Sequence, residues 1–129
     1  MLLLSEREVQ SLIDIDELIT ALEQAHIQYS TGKAVMPVRL VVPLPLIQGR
    51  ITSMPGYLSQ DQALGMKVVT YFQNNDKQDL PAILATIMLF SVETGKMIAA
   101  MEELTSLPSA PPAPLRWRLK SWPTRRRRC

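Results

Sequence analysis

The sequence is poor in the residue types that build disulfide frameworks, metal sites and nucleotide loops. It has one histidine and one cysteine, and that cysteine is the last residue. This excludes an internal disulfide and a multi-cysteine metal site, and it favours a cytoplasmic protein. Apolar runs fall short of the roughly 18 residues that a membrane span needs, so we expect no membrane partner. Five glycines and no Gly-x-Gly-x-x-Gly leave no Rossmann phosphate loop.

Positive charge is concentrated at the C-terminal end of the chain. Residues 1–115 carry seven Lys or Arg against twelve Asp or Glu, whereas residues 116–129 carry seven Lys or Arg and no acid. The body is therefore acidic and lacks the basic surface of a nucleic-acid-binding protein. We predict a body at residues 1–106 and a disordered Pro- and Arg-rich tail at residues 107–129.

Two hypotheses account for the tail. The first is a natural tail, which would serve as a basic docking arm if the chain is a non-enzymatic binding or interaction module. Alternatively, residues 107–129 are out of frame: Trp117 and Trp122 each have one codon, TGG, and both give alanine in a shifted frame with the codons that follow. That frame permits an alanine-rich amphipathic helix, and the nucleotide sequence after codon 106 distinguishes the two hypotheses.

The first third of the chain predicts a short edge strand, Leu2–Leu4, followed by two helices. Each helix start has an acid three residues after its capping residue: Ser5 with Glu8, and Asp14 with Glu17. The first helix is predicted to end near Ile13, and Gly32 lies where the second should end.

Alternation of residue types after residue 38 predicts strands. They cover residues 39–42, 50–54, 66–72, 86–90 and 97–101. Prolines at positions 43, 45, 55 and 81 are expected to limit the strand ends, because proline cannot donate to a ladder. Residues 93–96 predict a tight turn into a final hairpin. Together these elements predict an α/β fold, of the α+β kind within this piece.

Three strand-like segments each place one polar or charged residue in an apolar or small-residue run: Arg39, Tyr57 and Lys67. A cation is costly to bury without an anionic partner. Two such cations on neighbouring strands would form a pocket for a small anion, most simply a carboxylate. The alternative is that Arg39 and Lys67 lie on a solvated sheet face, which spacing alone favours.

Six short segments occur in an order and spacing that one family shares. They are residues 36–39, 54–57, 65–69, 80–82, 85–90 and 93–96. Over residues 1–106 the chain thereby resembles the N-terminal part of the ornithine cyclodeaminase/mu-crystallin family. The resemblance implies a substrate-binding and dimerisation domain around a mixed sheet, of which this chain carries the first part, and a Rossmann domain that this sequence lacks.

The resemblance also implies roles for four residues. Arg39 and Lys67 would hold the carboxylate of a small amino or imino acid, since guanidinium and ammonium groups both bind carboxylates. Met54 would pack beside the substrate, and Thr86 would border the nicotinamide of NAD or NADP. The implied activity of the longer protein is NAD(P)-dependent cyclodeamination or oxidoreduction, carried out by a homodimer.

Three departures from the family pattern limit what this chain is expected to do. Residues 83–84 are Ile-Leu where many members have His-Gln, near the cofactor. Residues 52–53 are Thr-Ser where ornithine-specific members carry an acid, which leaves another amino or imino acid open. The family continues with an Arg-Thr-Ala-Ala helix, a Gly-rich dinucleotide loop and a catalytic aspartate, and this sequence has none of them. We therefore expect the chain alone to bind cofactor poorly, to be inactive and to expose apolar surface.

Overall fold

The computed structural model describes residues 1–103 as two α-helices, two short 3-10 helices at Pro45–Ile47 and Asn75–Gln78, and a seven-stranded sheet. In chain order the elements are β1 Leu2–Leu4, α1 Glu6–Leu12, α2 Ile15–Ser30, β2 Ala34–Val35, β3 Leu40–Leu44, β4 Gly49–Leu58, β5 Ala63–Phe72, β6 Ile83–Phe90 and β7 Met97–Glu102. The predicted α/β (α+β) fold with a mixed sheet is confirmed. The predicted boundary at residue 106 and the tail lie outside the described residues.

The sheet runs in the order β1-β7-β6-β5-β4-β2, and β3 also pairs with β4. Only β1 and β7 pair in parallel among these strands; every other pair is antiparallel. The predicted edge strand at Leu2–Leu4 and the final β6–β7 hairpin are both confirmed. The β4–β5 ladder continues without interruption from Gly49 opposite Phe72 to Leu58 opposite Ala63.

Both α-helices begin at the predicted caps. The Ser5 hydroxyl accepts the Glu8 amide at 3.4 Å, and Glu8 Oε2 accepts the Ser5 amide at 2.8 Å. The hydrogen bonds from the Ser5 backbone and hydroxyl lower the pKa of Glu8. At α2, Asp14 Oδ1 accepts the amides of residues 16 and 17 at 2.9 and 3.0 Å. These side chains satisfy amides that the first turn of a helix leaves free.

The end of α2 is fixed by a glycine turn and by one buried amide. Gly32 has a φ of 75°, and the amide of the next residue donates to the Gln28 carbonyl at 2.8 Å, as in a Schellman cap. The Gln28 side chain is 2% exposed; it donates to Asp61 Oδ2 at 2.6 Å and accepts the Gln60 amide at 3.1 Å. The turn between β4 and β5 thereby holds the C-terminal end of α2.

Two prolines contradict the prediction that they limit strand ends. Pro43 lies inside β3, and Pro55 lies inside β4. β3 pairs with residues 49–53 of β4, and β2 pairs with residues 57–58, so Pro55 falls at a gap between two partners on that side. A proline is tolerated where the ladder demands no amide donor. β2 itself was not predicted, and β4 and β5 are longer than predicted.

The described residues bury little apolar surface. Val9 and Ala99 are the buried hydrophobic side chains among them, whereas Leu22 and Tyr29 on α2 are 51% and 58% exposed. The expectation of exposed apolar surface agrees with this arrangement within residues 1–103. No helix in this part of the chain has both the length and the apolar character that crossing a membrane requires.

Candidate functional site

Met54 and Lys67 lie directly opposite each other in the β4–β5 ladder. Successive side chains on a strand point to opposite faces of the sheet, and directly paired residues share a face. The same alternation places Arg50 and Thr52 of β4 on this face, with Tyr71 of β5 opposite Arg50. We call it the lysine face.

Arg39 does not lie on a strand next to the one that carries Lys67, so that part of the prediction is wrong. It precedes β3, whose first residue, Leu40, pairs with Ser53 of β4. β3 and β5 both pair with β4, so β4 lies between the segment that carries Arg39 and the strand that carries Lys67. Continuing the ladder by one residue puts Arg39 level with Met54.

Three hollows surround Met54. The first, which we call the arginine cleft, has a volume of about 270 Å³ and is lined by Arg39, Arg50, Thr52, Met54 and Tyr71 together with apolar side chains. The second, of about 670 Å³, lies between α2 and the sheet and also includes Arg39 and Met54. The third, of about 320 Å³, includes Met54 and Lys67. Arg39 and Lys67 thus line different hollows, with Met54 common to both.

Lys67 already has a carboxylate partner within the chain. Its Nζ forms an ion pair with Glu103 Oε1, and both side chains are 34% exposed. The Glu103 amide donates to the Ala85 carbonyl at 2.9 Å, which continues the β6–β7 pairing past β7 and brings Glu103 beside Lys67. The sequence prediction missed Glu103, since its proximity depends on the pairing of three strands.

Arg50 is the second residue that the sequence prediction missed. Its guanidinium carbon lies 4.8 Å from the centroid of the Tyr71 ring, a cation–π geometry. The signal was present in the sequence, because residues 50, 52 and 54 alternate toward one face of a strand. Among residues 1–103, neither Arg39 nor Arg50 has an acidic ion-pair partner.

Thr86 lies on the opposite face from Lys67. It pairs with Val68 of β5, the residue after Lys67, and with Glu102 of β7. Thr86 and Glu102 line a separate hollow together with Glu8 of α1, and Glu102 also accepts the Glu6 amide at 3.0 Å. The structure therefore brings Arg39, Met54 and Lys67 to one region and leaves Thr86 apart from them.

The lysine face has the chemistry of an anion site. It presents three cations and, in the arginine cleft, a hydroxyl and an aromatic ring, which suits carboxylate binding. The described residues contain no group of three His, Cys, Asp or Glu side chains that could hold a metal ion.

Comparison with known proteins agrees with this architecture. The sequence model of the Ornithine cyclodeaminase/mu-crystallin family matches residues 1–110. The chain belongs to that family. This confirms the resemblance found in the sequence.

Two relatives of this family member are an alanine dehydrogenase and a ketimine reductase. Over 101 residues it is 38% identical to an alanine dehydrogenase of Archaeoglobus fulgidus, covering 78% of this chain and 30% of the relative. It is 34% identical to the ketimine reductase mu-crystallin of Mus musculus, covering 77% and 33%. The chain thus spans about a third of the length of these relatives.

Two solved structures share the fold. One is a Delta(1)-pyrroline-2-carboxylate reductase of Thermococcus litoralis in complex with NADH and L-proline, with a TM-score of 0.74, 39% identity, and coverage of 79% of this chain and 32% of the other. The other is an archaeal alanine dehydrogenase dimer with bound NAD, with a TM-score of 0.72, 35% identity, and coverage of 79% and 31%. The fold of residues 1–103 is therefore that of the N-terminal part of NAD-binding family members.

Proposed function

We propose that this chain is the substrate-carboxylate part of an NAD(P)-dependent cyclodeaminase or oxidoreductase of a small amino or imino acid. In the longer protein, Arg39 and Lys67 hold the carboxylate and Met54 packs beside the substrate. One observation carries the proposal: Met54 pairs with Lys67, and Arg39 shares two hollows with Met54. At Lys67 a substrate carboxylate competes with Glu103, which already forms an ion pair with that ammonium group.

The chain alone is expected not to turn over substrate. Its 129 residues hold no Gly-x-Gly-x-x-Gly, and they span about a third of the relatives' length. Turnover by the purified chain with NAD or NADP and a small amino or imino acid would contradict this part of the proposal. We expect the longer protein to be a homodimer, like its archaeal structural neighbour, and to work in the cytoplasm.

The carboxylate assignment is tested by NMR titration of the 129-residue chain with L-alanine and L-proline. We expect Arg39→Met and Lys67→Met each to weaken binding at least about tenfold, since hydrogen bonds to charged groups contribute about 1.5–3 kcal/mol. Lys96→Met removes the same charge from the β6–β7 turn and serves as the matched control. Circular dichroism spectra establish that each variant folds.

The outcomes are distinct. Weaker binding by the two variants, with normal binding by the Lys96→Met control, supports the proposal. Equal binding by all four proteins, or no binding of either amino acid to the folded parent chain, contradicts it.

A further inference from the structure

The arginine cleft combines two guanidinium groups with no acid. Arg39 and Arg50 both line it, and its other polar side chains are the hydroxyls of Thr52 and Tyr71. Elsewhere on the lysine face, Lys67 is neutralised by Glu103. The cleft therefore carries two positive charges that residues 1–103 leave without an anionic partner, although like charges in one cleft repel each other.

The two arginines enter the cleft from separate points of the sheet. Arg50 pairs with Pro43 of β3, whereas Arg39 lies just beyond Leu40 and level with Met54. Four residues along β4 separate these two levels, which is about 13 Å of backbone at roughly 3.3 Å per residue. Two cations anchored so far apart fit a ligand with an anionic group at each end better than a single small anion.

Tyr71 and Thr52 complete this arrangement. The Tyr71 ring stacks against the Arg50 guanidinium, with 4.8 Å between guanidinium carbon and ring centroid, and so restricts where that charge can lie. Thr52 is 8% exposed and belongs to the same face, between the levels of Arg50 and Met54. Its hydroxyl is neutral, so the middle of the cleft adds no charge that would repel a dicarboxylate.

We infer that Arg50 is a specificity-determining residue and that the site takes a dicarboxylic amino or imino acid. Arg39 binds the α-carboxylate and Arg50 binds the distal carboxylate, each through the paired donors of a guanidinium. The inference rests on the proposed function, from which it takes the α-carboxylate at Arg39. It adds the class of side chain that the substrate carries.

The test compares ligands that differ in one charge. The 129-residue chain is titrated by NMR with L-aspartate and L-glutamate, with their uncharged counterparts L-asparagine and L-glutamine, and with L-alanine. We expect at least one dicarboxylate to bind about tenfold more tightly than its own amide, because one charge-assisted contact is lost in the amide. Arg50→Met should abolish this difference, whereas Lys96→Met should preserve it.

Arg50→Lys keeps the charge but not the paired donors, and should retain part of the preference. It also guards against a folding defect in Arg50→Met, which circular dichroism would reveal. If the dicarboxylates and their amides bind equally, and Arg39→Met weakens both, the proposed function stands and the inference about Arg50 is overturned. If the folded chain binds no amino acid at all, the proposed function is overturned together with it.

Discussion

The lysine face carries two kinds of cation, and they differ in how their charge is satisfied. Lys67 lies in the middle of the sheet and forms an ion pair with Glu103, in which each side chain is 34% exposed. Arg39 and Arg50 lie toward the β3 edge, are exposed, and have no acidic partner among residues 1–103. The half-buried cation has an internal anion, whereas water solvates the two outer ones.

This difference follows from the free energy of desolvation. Removing a charge from water is unfavourable unless another charge or hydrogen bond compensates, so a half-buried ammonium group gains most from a fixed partner. An exposed guanidinium keeps its hydration and remains available to a ligand. The arginine side is therefore the more open to an added carboxylate, while at Lys67 a ligand must compete with Glu103.

The largest expected effect is a loss of stability from a substitution at Gly49, next to Arg50 on the arginine side of the lysine face. A Cβ at Gly49 would lie 2.9 Å from the Tyr71 carbonyl oxygen and 3.2 Å from the Phe72 ring. Because a backbone atom in a ladder cannot move aside cheaply, we expect Gly49→Ala to lower the free energy of unfolding by about 1–3 kcal/mol. Urea denaturation measures the loss, and titration with L-aspartate should show weaker binding beside the displaced Arg50.

Gly56→Ala is the matched control in the same strand. There the nearest atom to a new Cβ is the Cγ atom of Met36 at 3.8 Å, an ordinary contact. We expect a change in unfolding free energy within about 0.5 kcal/mol and no effect on the arginine cleft. If Gly49→Ala lowered the free energy of unfolding no more than Gly56→Ala does, the close approach at Gly49 would be relieved without cost.

These comparisons also show which features a sequence can predict. The caps at Ser5 and Asp14 and the turn at Gly32 depend on residues within a few positions of each other, and all three were predicted. The partner of Lys67 lies 36 residues away, and its proximity requires the register of β5, β6 and β7. Pro55 was misjudged for the same reason, because only the pairing shows that it faces a gap.

The candidate site was predictable in its residue types and less so in its arrangement. Arg39, Met54 and Lys67 were identified as substrate ligands from a resemblance, and the structure brings Arg39 and Lys67 each beside Met54. Strand order could not be predicted from local patterns, so the two cations were placed on neighbouring strands. The roles of these residues and of Thr86 stay predictions until ligand binding is measured.

A smaller effect is expected when the aromatic support of Arg50 is removed. Tyr71→Leu removes the ring that stacks against the guanidinium, an interaction that contributes about 0.5–1 kcal/mol at exposed positions. We expect L-aspartate to bind about two- to fivefold more weakly by NMR titration. Tyr71→Phe keeps the ring and should bind like the parent chain; weakening by both variants would point to the hydroxyl instead.

Glu103→Gln makes Lys67 resemble the two arginines by removing its internal anion. The pair is about a third exposed, so its contribution to stability is screened by solvent and should stay below about 1 kcal/mol. We expect slightly lower stability in urea and tighter binding of L-alanine, since the ligand no longer competes with Glu103. Unchanged L-alanine binding would mean that Lys67 does not contact the ligand.

The smallest expected effect is on the pH dependence of α1 and comes from Glu8. Its carboxylate is stabilised by hydrogen bonds from neutral groups and not by a cation. The Ser5 amide and hydroxyl lower its pKa, so the charged form stabilises the folded state. This stabilisation is present above the ordinary pKa of a glutamate and is lost as the pH falls through the lowered pKa. We expect the helical circular dichroism signal of α1 to decrease over that range in the parent chain, and Glu8→Gln to remove this part of the pH dependence.

Added salt should affect the Glu8 carboxylate and the Lys67–Glu103 ion pair differently. Added salt screens the Lys67–Glu103 attraction because it acts between two partly exposed ions. The bonds between Ser5 and Glu8 join an ion to local dipoles a few residues away, so the pH dependence of α1 should persist at high salt. If salt abolished the pH dependence of α1, Glu8 would have to be stabilised by a distant cation and not by its cap.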